Sequence, residues 1–479
     1  MCDRNATGIG NVLSSKWNVN NESEYLQTLD GDLRMKKSLF ALAALGAFAG
    51  AAQAQSSVSI YGNLDLTDVY MSGGGAKSVA LTHAANSTSL WGFKGTEDLG
   101  GGLKSGFDLK SEINLTTGQT GSTTSGVQPT AVTSTTQGGV SNLFTRGANV
   151  FISSASLGEV KVGRMDDIEW AMAGRFSTSG SNSFGSNQGH AQIGNINAAG
   201  TGACVTTTTT TGLCSIGGQS TLNYSYMGSA DAFMSGAQYT TPTFAGFKAS
   251  IQAGLGANSA IQGYNVGMQQ AAGLSYTGLG GALNAELAQS RRFDDQGLLG
   301  MTLTSFGLTY NATSAITLIG LYTTTSVTNT SFQGGTAGAG TAAVPTTIPN
   351  SGLHGNDMWS LGVNYKVTPA FDVNVAYTNI SDNSNQTYTS TAYGTFNSSN
   401  NSVSMYGLTG RYNFSKRTQV YGGVGVANNS GAFFMSPIYA GASYAPTLQQ
   451  TALAGGSTAS TNGLGTNITA AMVGIRHQF

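Results

Sequence analysis

Trp359-Ser-Leu-Gly-Val-Asn-Tyr-Lys-Val367 puts a large apolar residue at every second position, with Ser360, Gly362, Asn364 and Lys366 between. Successive side chains of a strand point to opposite faces, so this run predicts a strand with one apolar and one polar face. The rhythm recurs nearby. Phe371, Val373, Val375 and Tyr377 alternate with Asp372, Asn374, Ala376 and Thr378. Tyr406, Leu408, Tyr412 and Phe414 alternate with Ser404, Thr409, Arg411 and Asn413. A soluble sandwich would share the alternation. Two features argue against it: the runs are about ten residues long, as a tilted membrane strand requires, and Tyr and Phe gather at run ends, where an aromatic girdle would sit.

The connections carry the same message. Short ones fall at Leu99–Gly102, Ser154–Gly158, Thr243–Gly246, Gly278–Gly281, Asn311–Ser314, Val367–Ala370 and Phe414–Arg417. Long polar stretches lie between them: Ser72–Asn86, Thr116–Ser141, Asp166–Gly218, Gly256–Met268, Phe293–Leu299, Val327–Asn356, Ser381–Asn401 and Ala427–Gly463. Short turns on one side and long loops on the other are the asymmetry of an outer-membrane barrel. With a first strand near Val58–Met71 and a last at Leu464–Phe479, the expected architecture is all-β. It is a transmembrane antiparallel β-barrel of about sixteen strands, with short periplasmic turns and long extracellular loops. Closure leaves no unpaired edge in lipid.

Composition agrees. Charged residues are only 9% of the 479-residue chain and apolar residues only 40%, against about 25% charged in an ordinary soluble domain. Gly, Ser, Thr and Asn fill the difference. A lipid face, a polar lumen and polar loops suit such a chain. With 21 Lys plus Arg against 22 Asp plus Glu, no basic stripe points to nucleic acid.

Near the start of the chain stand Met35-Lys-Lys37, the apolar run Leu39–Ala51 and the small-residue site Ala52-Gln-Ala54. This is the pattern of a signal peptide, too short for a spanning helix. The expected organisation is an upstream extension misassigned over 1–34, a signal peptide over 35–54, and a barrel over 55–479 whose segment 166–218 is a loop. Mature protein is expected to start at Gln55. Cys204 and Cys214 lie in the Thr-rich stretch. Export permits a disulfide between them; two unpaired thiols are the alternative. The four histidines, His83, His190, His354 and His477, are scattered. Neither a Ser-His-Asp spacing nor a metal-ligand cluster emerges, so no catalytic residue, metal or cofactor is expected. Gly256–Gly263 and Gly334–Gly340 lack the strand, helix and Gly-Lys-Ser/Thr of a phosphate loop.

Several stretches then name a family. Ser57-Val-Ser-Ile-Tyr-Gly-Asn63 resembles the first strand of Gram-negative general diffusion porins of the trimeric, β-proteobacterial type. Trp91-Gly-Phe-Lys-Gly-Thr-Glu-Asp-Leu-Gly-Gly-Gly-Leu103 is similar to the family's second hairpin. Leu143–Val150, Leu157–Arg164, Thr241–Phe247, Ser415–Tyr421 and Val473–Phe479 follow in the family's order, down to the terminal Phe. The resemblance implies a homotrimer in outer-membrane lipid. It implies passive passage of ions and small hydrophilic solutes, and a C-terminal strand ending at Phe479 that the barrel-assembly machinery reads.

It also implies a third external loop folded into the lumen, here opening with Asp166, Asp167 and Glu169. These are the candidate acidic constriction residues; a solvated loop start is the alternative. Strand parity supplies the basic side. Outward Trp91 and Phe93 put Lys94 inside, and outward Phe107 and Leu109 put Lys104, Asp108, Lys110 and Glu112 inside. Outward Asn149 and Phe151 would put Arg146 inside, at a position where the family carries a constriction arginine. Two positions often basic in the family are Asn63 and Leu90 here, so a mild cation preference is expected. Two other functions compete: a barrel-anchored adhesin, and a substrate-specific channel with an aromatic slide in its lumen.

Overall fold

The structure, a computed structural model, describes residues 57–73, 76–83, 85–118, 120, 143–178, 184, 233–254, 268–293, 299–327, 356–383, 387–390, 394–397, 400–431, 436–438 and 467–479. The signal-peptide segment and the Cys204–Cys214 pair lie outside these residues.

Hairpins run through the chain in order. The first strands are β1 (Ser57–Gly73), β2 (Ala76–His83), β3 (Leu90–Gly100), β4 (Leu103–Glu112), β5 (Gly147–Ser154) and β6 (Gly158–Asp166). A helix α1 (Ile168–Arg175) follows. Then come β7 (Phe233–Thr240), β8 (Phe247–Gly254), β9 (Gln269–Gly278), β10 (Leu283–Phe293), β11 (Leu299–Asn311), β12 (Ile316–Val327), β13 (Asn356–Lys366) and β14 (Phe371–Asp382). A small separate hairpin, β15 (Thr387–Ser390) with β16 (Gly394–Asn397), precedes β17 (Ser402–Asn413), β18 (Thr418–Ser430) and β19 (Ile468–Gln478).

Every wall strand is antiparallel to its neighbours, and β19 returns to β1 with Asn63 opposite Gln478 and Gly73 opposite Ile468. The sheet therefore closes. It holds seventeen strands, but β2 and β3 both pair with β1, one above the other, and share a single place in the ring. The result is a sixteen-stave barrel. All seven expected short turns fall between consecutive staves.

One expected loop is largely wall. Ala76–His83 pairs with the upper half of β1, inside the stretch Ser72–Asn86 read from sequence as a connection. Lys77, Val79 and Leu81 do alternate with Ser78, Ala80 and Thr82; the preceding glycines Gly73 to Gly75 hid that period. Residues 85–89 then leave the wall before β3 resumes it.

Burial sorts the faces. Val150, Ile251 and Val473 are 60–63% exposed on the outer wall, while Asn149, Gln252, Ser290, Ser305 and Thr323 are buried on the inner one. Parity on β3 and β4 is as expected. On β5 it is inverted. Asn149 lies opposite Asp108 and Phe151 opposite Gly106, both inward, while Val150 and Ile152 face out. The Phe151 ring sits on Gly106, where a Cβ would collide with it; a glycine across the ladder makes room for an aromatic inside. Arg146 reaches the lumen because it precedes the strand, not by its parity.

An aromatic ladder crosses the outer wall: Trp359–Tyr377 centroids are 4.8 Å apart and Tyr377–Tyr406 centroids 4.9 Å. Tyr322 lies opposite Trp359 in the ladder. A lower row, Tyr276, Tyr310, Tyr365 and Tyr412, stands just before the short turns. Such girdles mark the two lipid interfaces of a barrel.

Phe479 seals the ring. Its backbone N–H donates to the Gly62 carbonyl at 3.1 Å and its carbonyl accepts from the Gly62 N–H at 3.1 Å. Its ring covers Gly62, where any Cβ would strike it. Gly62→Val and deletion of Phe479 are both expected to lower the yield of heat-modifiable folded barrel in the membrane. Heat-modifiability gels check this, and an unchanged yield from both variants would remove the seal from the account.

Candidate functional site

After Asp166 the chain turns into the barrel. Asp167 caps α1: its Oδ1 accepts from the N–H groups of Glu169 at 2.8 Å and Trp170 at 3.3 Å, satisfying donors a helix start leaves free. Glu169 in the first turn and Arg175 in the last complement the helix dipole. The helix lies against the inner faces of β8, β9, β10 and β11.

Polar anchors hold it there. Asp167 Oδ2 accepts from Ser290 Oγ at 2.8 Å and from Gln269 Nε2. Ser305 Oγ donates to Glu169 Oε1. Gln252 accepts from the Ile168 N–H at 3.2 Å and donates to the Asp166 carbonyl at 2.9 Å. Arg175 Nη2 donates to both Glu286 carboxylate oxygens, at 2.6 and 2.7 Å. Beneath the helix Ile168, Met172, Ala173 and Phe176 form one buried cluster with Leu303, Leu321, Met358, Ile380 and others on the inner wall.

Glycines in the wall let the chain approach this closely. A Cβ at Gly273 would meet Ile168, at Gly307 the Phe176 ring, and at Gly362 Thr178. Phe184, fully buried, sits where side chains at Gly407, Gly423 and Gly425 would be. The described parts of the inward segment, residues 167–178 and Phe184, thus lie against glycines on β9, β11, β13, β17 and β18. Phe184 ends in a second cluster with Met71, Ala85, Ile438, Met472 and the ring of Tyr421.

The wall that the described part of the segment does not cover, β3 to β6, is charged. Lys94 Nζ stands 5.0 Å from the Tyr61 ring centre, and Tyr61 Oη donates to Asp108. Lys110 Nζ pairs with Asp166 Oδ2 at 3.2 Å. Arg146 Nε donates to Glu112 Oε2 at 2.7 Å, and His83 Nε2 lies 3.9 Å from Glu112 Oε1. Arg164 Nε donates to the Thr145 carbonyl at 2.6 Å. Below α1 a cavity of about 950 Å³ opens, lined by Glu159, Lys161, Lys248, Arg175, Glu286 and a run of Ser and Thr side chains. A polar lumen crossed by an inward segment, with charges on the facing wall, is built to pass hydrated solutes and to bias ions.

A model of the Gram-negative porin family matches residues 41–432. The chain belongs to that family. Outer membrane porin protein 32 of Delftia acidovorans is 52% identical over 81 residues, 16% of this chain and 23% of that protein. An outer membrane porin protein of Bordetella pertussis is 33% identical over 175 residues, 33% of this chain and 40% of that protein. The matched stretches thus span less than half of either relative. The anion-selective porin from Comamonas acidovorans has the same fold: TM-score 0.59 at 21% identity, over 89% of this chain and 100% of that one. The family consists of channel proteins, and this porin is an outer-membrane β-barrel.

Among the candidate acidic residues, only Asp166 keeps a substantially exposed side chain, 36%. Asp167 and Glu169 are fully buried, turned toward β9, β10 and β11. Lys94, Lys110 and Arg146 are brought together on the wall of β3 to β6; Lys104 is exposed on β4, opposite Asp98. Tyr61, Arg164 and the Arg175–Glu286 pair were not singled out from sequence. Glu286 was accessible, since it shares inward parity with Ala288 and Ser290. Arg175 was not, because only the helix aims it.

Gly163 helps set this arrangement. Its φ is +125°, and a Cβ would collide with the Ala148 carbonyl. That backbone shape, rare for other residues, comes immediately before Arg164 and three residues before Asp166.

Proposed function

We propose that this porin forms a water-filled channel for passive diffusion of ions and small hydrophilic solutes, works as a homotrimer, and passes anions slightly more readily than cations. The supporting observation is the charge of the part of the β3 to β6 wall around Asp166, where α1 begins. Lys94, Lys110, Arg146 and Arg164 face Asp108, Glu112 and Asp166, four cations against three carboxylates. Selectivity follows the charges at the narrow point rather than net charge. The cation preference expected from sequence rested on Asn63 and Leu90 standing at positions often basic in the family and counted Asp166, Asp167 and Glu169 as pore charges; on the present reading Asp167 and Glu169, hydrogen-bonded to the wall, are left out of that count. The Comamonas porin's anion selectivity runs in the same direction.

Planar-bilayer recording tests the reading. Steady open conductance and a reversal potential displaced toward the anion side in a dilute salt gradient are expected. A barrel that never conducts would favour the adhesin. Conductance that saturates with one solute would favour a specific channel.

A further inference from the structure

Lys94 and Asp108 stand directly opposite each other on β3 and β4, both on the inner face. Side chains so placed are about 4.5–5.5 Å apart at Cβ, where opposite charges attract across the ladder. These two do not pair. Lys110 holds Asp166 and Arg146 holds Glu112, but among the described residues no carboxylate forms a salt bridge with Lys94, which stays exposed.

Tyr61 accounts for the difference. On β1 it lies opposite Gly92, two residues before Lys94 on the same face of β3. Gly92 has no side chain, so the ring can cross the strand there; a Cβ would come within 3.2 Å of it. Beyond the glycine, Tyr61 Oη donates to Asp108 Oδ1. The Lys94 ammonium stands over the same ring, 5.0 Å from its centre, within reach of a cation–π attraction.

One side chain thus does two things. Its hydroxyl takes the acceptor nearest to Lys94, and its face offers the ammonium another place to rest. An ammonium has three donors and no acceptor. Paired, it spends donors on the wall; lifted onto a ring, it keeps them for a passing anion.

We propose that Tyr61 is a positioning residue for ion selectivity: it occupies Asp108 and carries Lys94 on its ring, so that this lysine is a cation of the pore instead of half of a wall ion pair. The consequence for selectivity rests on the channel reading, while the geometry needs only the barrel.

Amine labelling tests the geometry. The folded porin in mild detergent is treated with a small water-soluble acylating ester, and peptide mass spectrometry compares Lys94 with exposed Lys248. In Tyr61→Phe the relative rate at Lys94 is expected to fall about threefold, the scale of a half-exposed ion pair. Adding Asp108→Asn should restore it. Asp108→Asn alone should leave the rate near that of the wild type, because no pair is there to break. An unchanged rate in Tyr61→Phe would overturn the proposal. So would a fall that Asp108→Asn does not restore, which would make Tyr61 a packing residue only. A threefold rise in Asp108→Asn alone would overturn it as well, by showing the pair already formed, and that variant serves even if Tyr61→Phe fails to fold.

Reversal potential in a dilute salt gradient tests the consequence. Tyr61→Phe should move it toward cations about as far as Lys94→Gln does, and should move it no further in a Lys94→Gln background. Additive shifts would mean that Tyr61 does not act through Lys94. A wild-type barrel that never conducts would defeat the channel reading and leave the labelling result standing.

Discussion

Gly425→Leu is expected to cut single-channel conductance by roughly half or more, because the constriction is where added bulk changes the pore most. Phe184 occupies the space above Gly425, with Gly407 and Gly423 beside it. A leucine there cannot coexist with the ring. Overpacking a filled site typically costs about 1–3 kcal/mol, and an inward segment can move more readily than a paired wall. The segment should therefore leave the wall and enter the lumen. Bilayer recording reads the conductance, and heat-modifiability confirms that the barrel still closes. Gly410→Leu is a control on the same wall, since its Cβ would meet only the edge of Phe371 at 3.4 Å. Normal conductance in Gly425→Leu would mean that the segment does not narrow the pore.

The second large effect concerns charge. Lys94, Lys110 and Arg146 replaced together by glutamine should reverse the sign of the reversal potential, from anion-leaning to cation-selective. Three carboxylates, Asp108, Glu112 and Asp166, would then face Arg164 alone. The change should be largest in dilute salt and should shrink near 1 M, as the Debye length falls from about 10 Å at 0.1 M to about 3 Å. Asp167→Asn with Glu169→Gln makes the opposite case. These carboxylates hold α1 through Ser290, Gln269 and Ser305. Their loss should add open-channel noise and closures while moving the reversal potential little. A large shift from that pair, and none from the triple variant, would put the acidic residues back in the pore.

Much of the barrel was legible because the membrane imposes a simple rule on each stave. Trp359 to Val367 and Phe371 to Thr378 read correctly, as outward side chains must be apolar and the turns between them are short. The rule weakens where something other than water covers the inner face. Met301, Leu303, Met358 and Met405 are inward and apolar, packed with the helix rather than wet, so the upper half of several staves loses its contrast. Phe151 misled for a related reason: an aromatic reads as lipid-facing, and only Gly106 opposite makes room for it inside. The inward segment was harder still. Asp166, Asp167 and Glu169 read alike, because a sequence shows type and not direction. A helix cap and wall hydroxyls point Asp167 and Glu169 away from the pore. The glycine row was invisible too, since its members are separated by whole hairpins and align only once the ring closes.

The divided stave has a consequence of its own. Residues 85–89 leave β1 without a backbone partner on one side near Leu64 and Asp65. There the Ser89 hydroxyl accepts from the Asp65 N–H at 2.9 Å and donates to its carbonyl at 3.0 Å. The upper piece is held by its own tight hairpin to β1, and the lower piece by its ladders to β1 and β4. Each keeps its register without the other. Elsewhere in the wall one inserted residue would turn every later side chain to the wrong face. Here a segment can lengthen, shorten or change its chemistry while both flanks stay in phase. This position is thus an expansion joint, the place in the wall where chain length can drift without remaking the barrel.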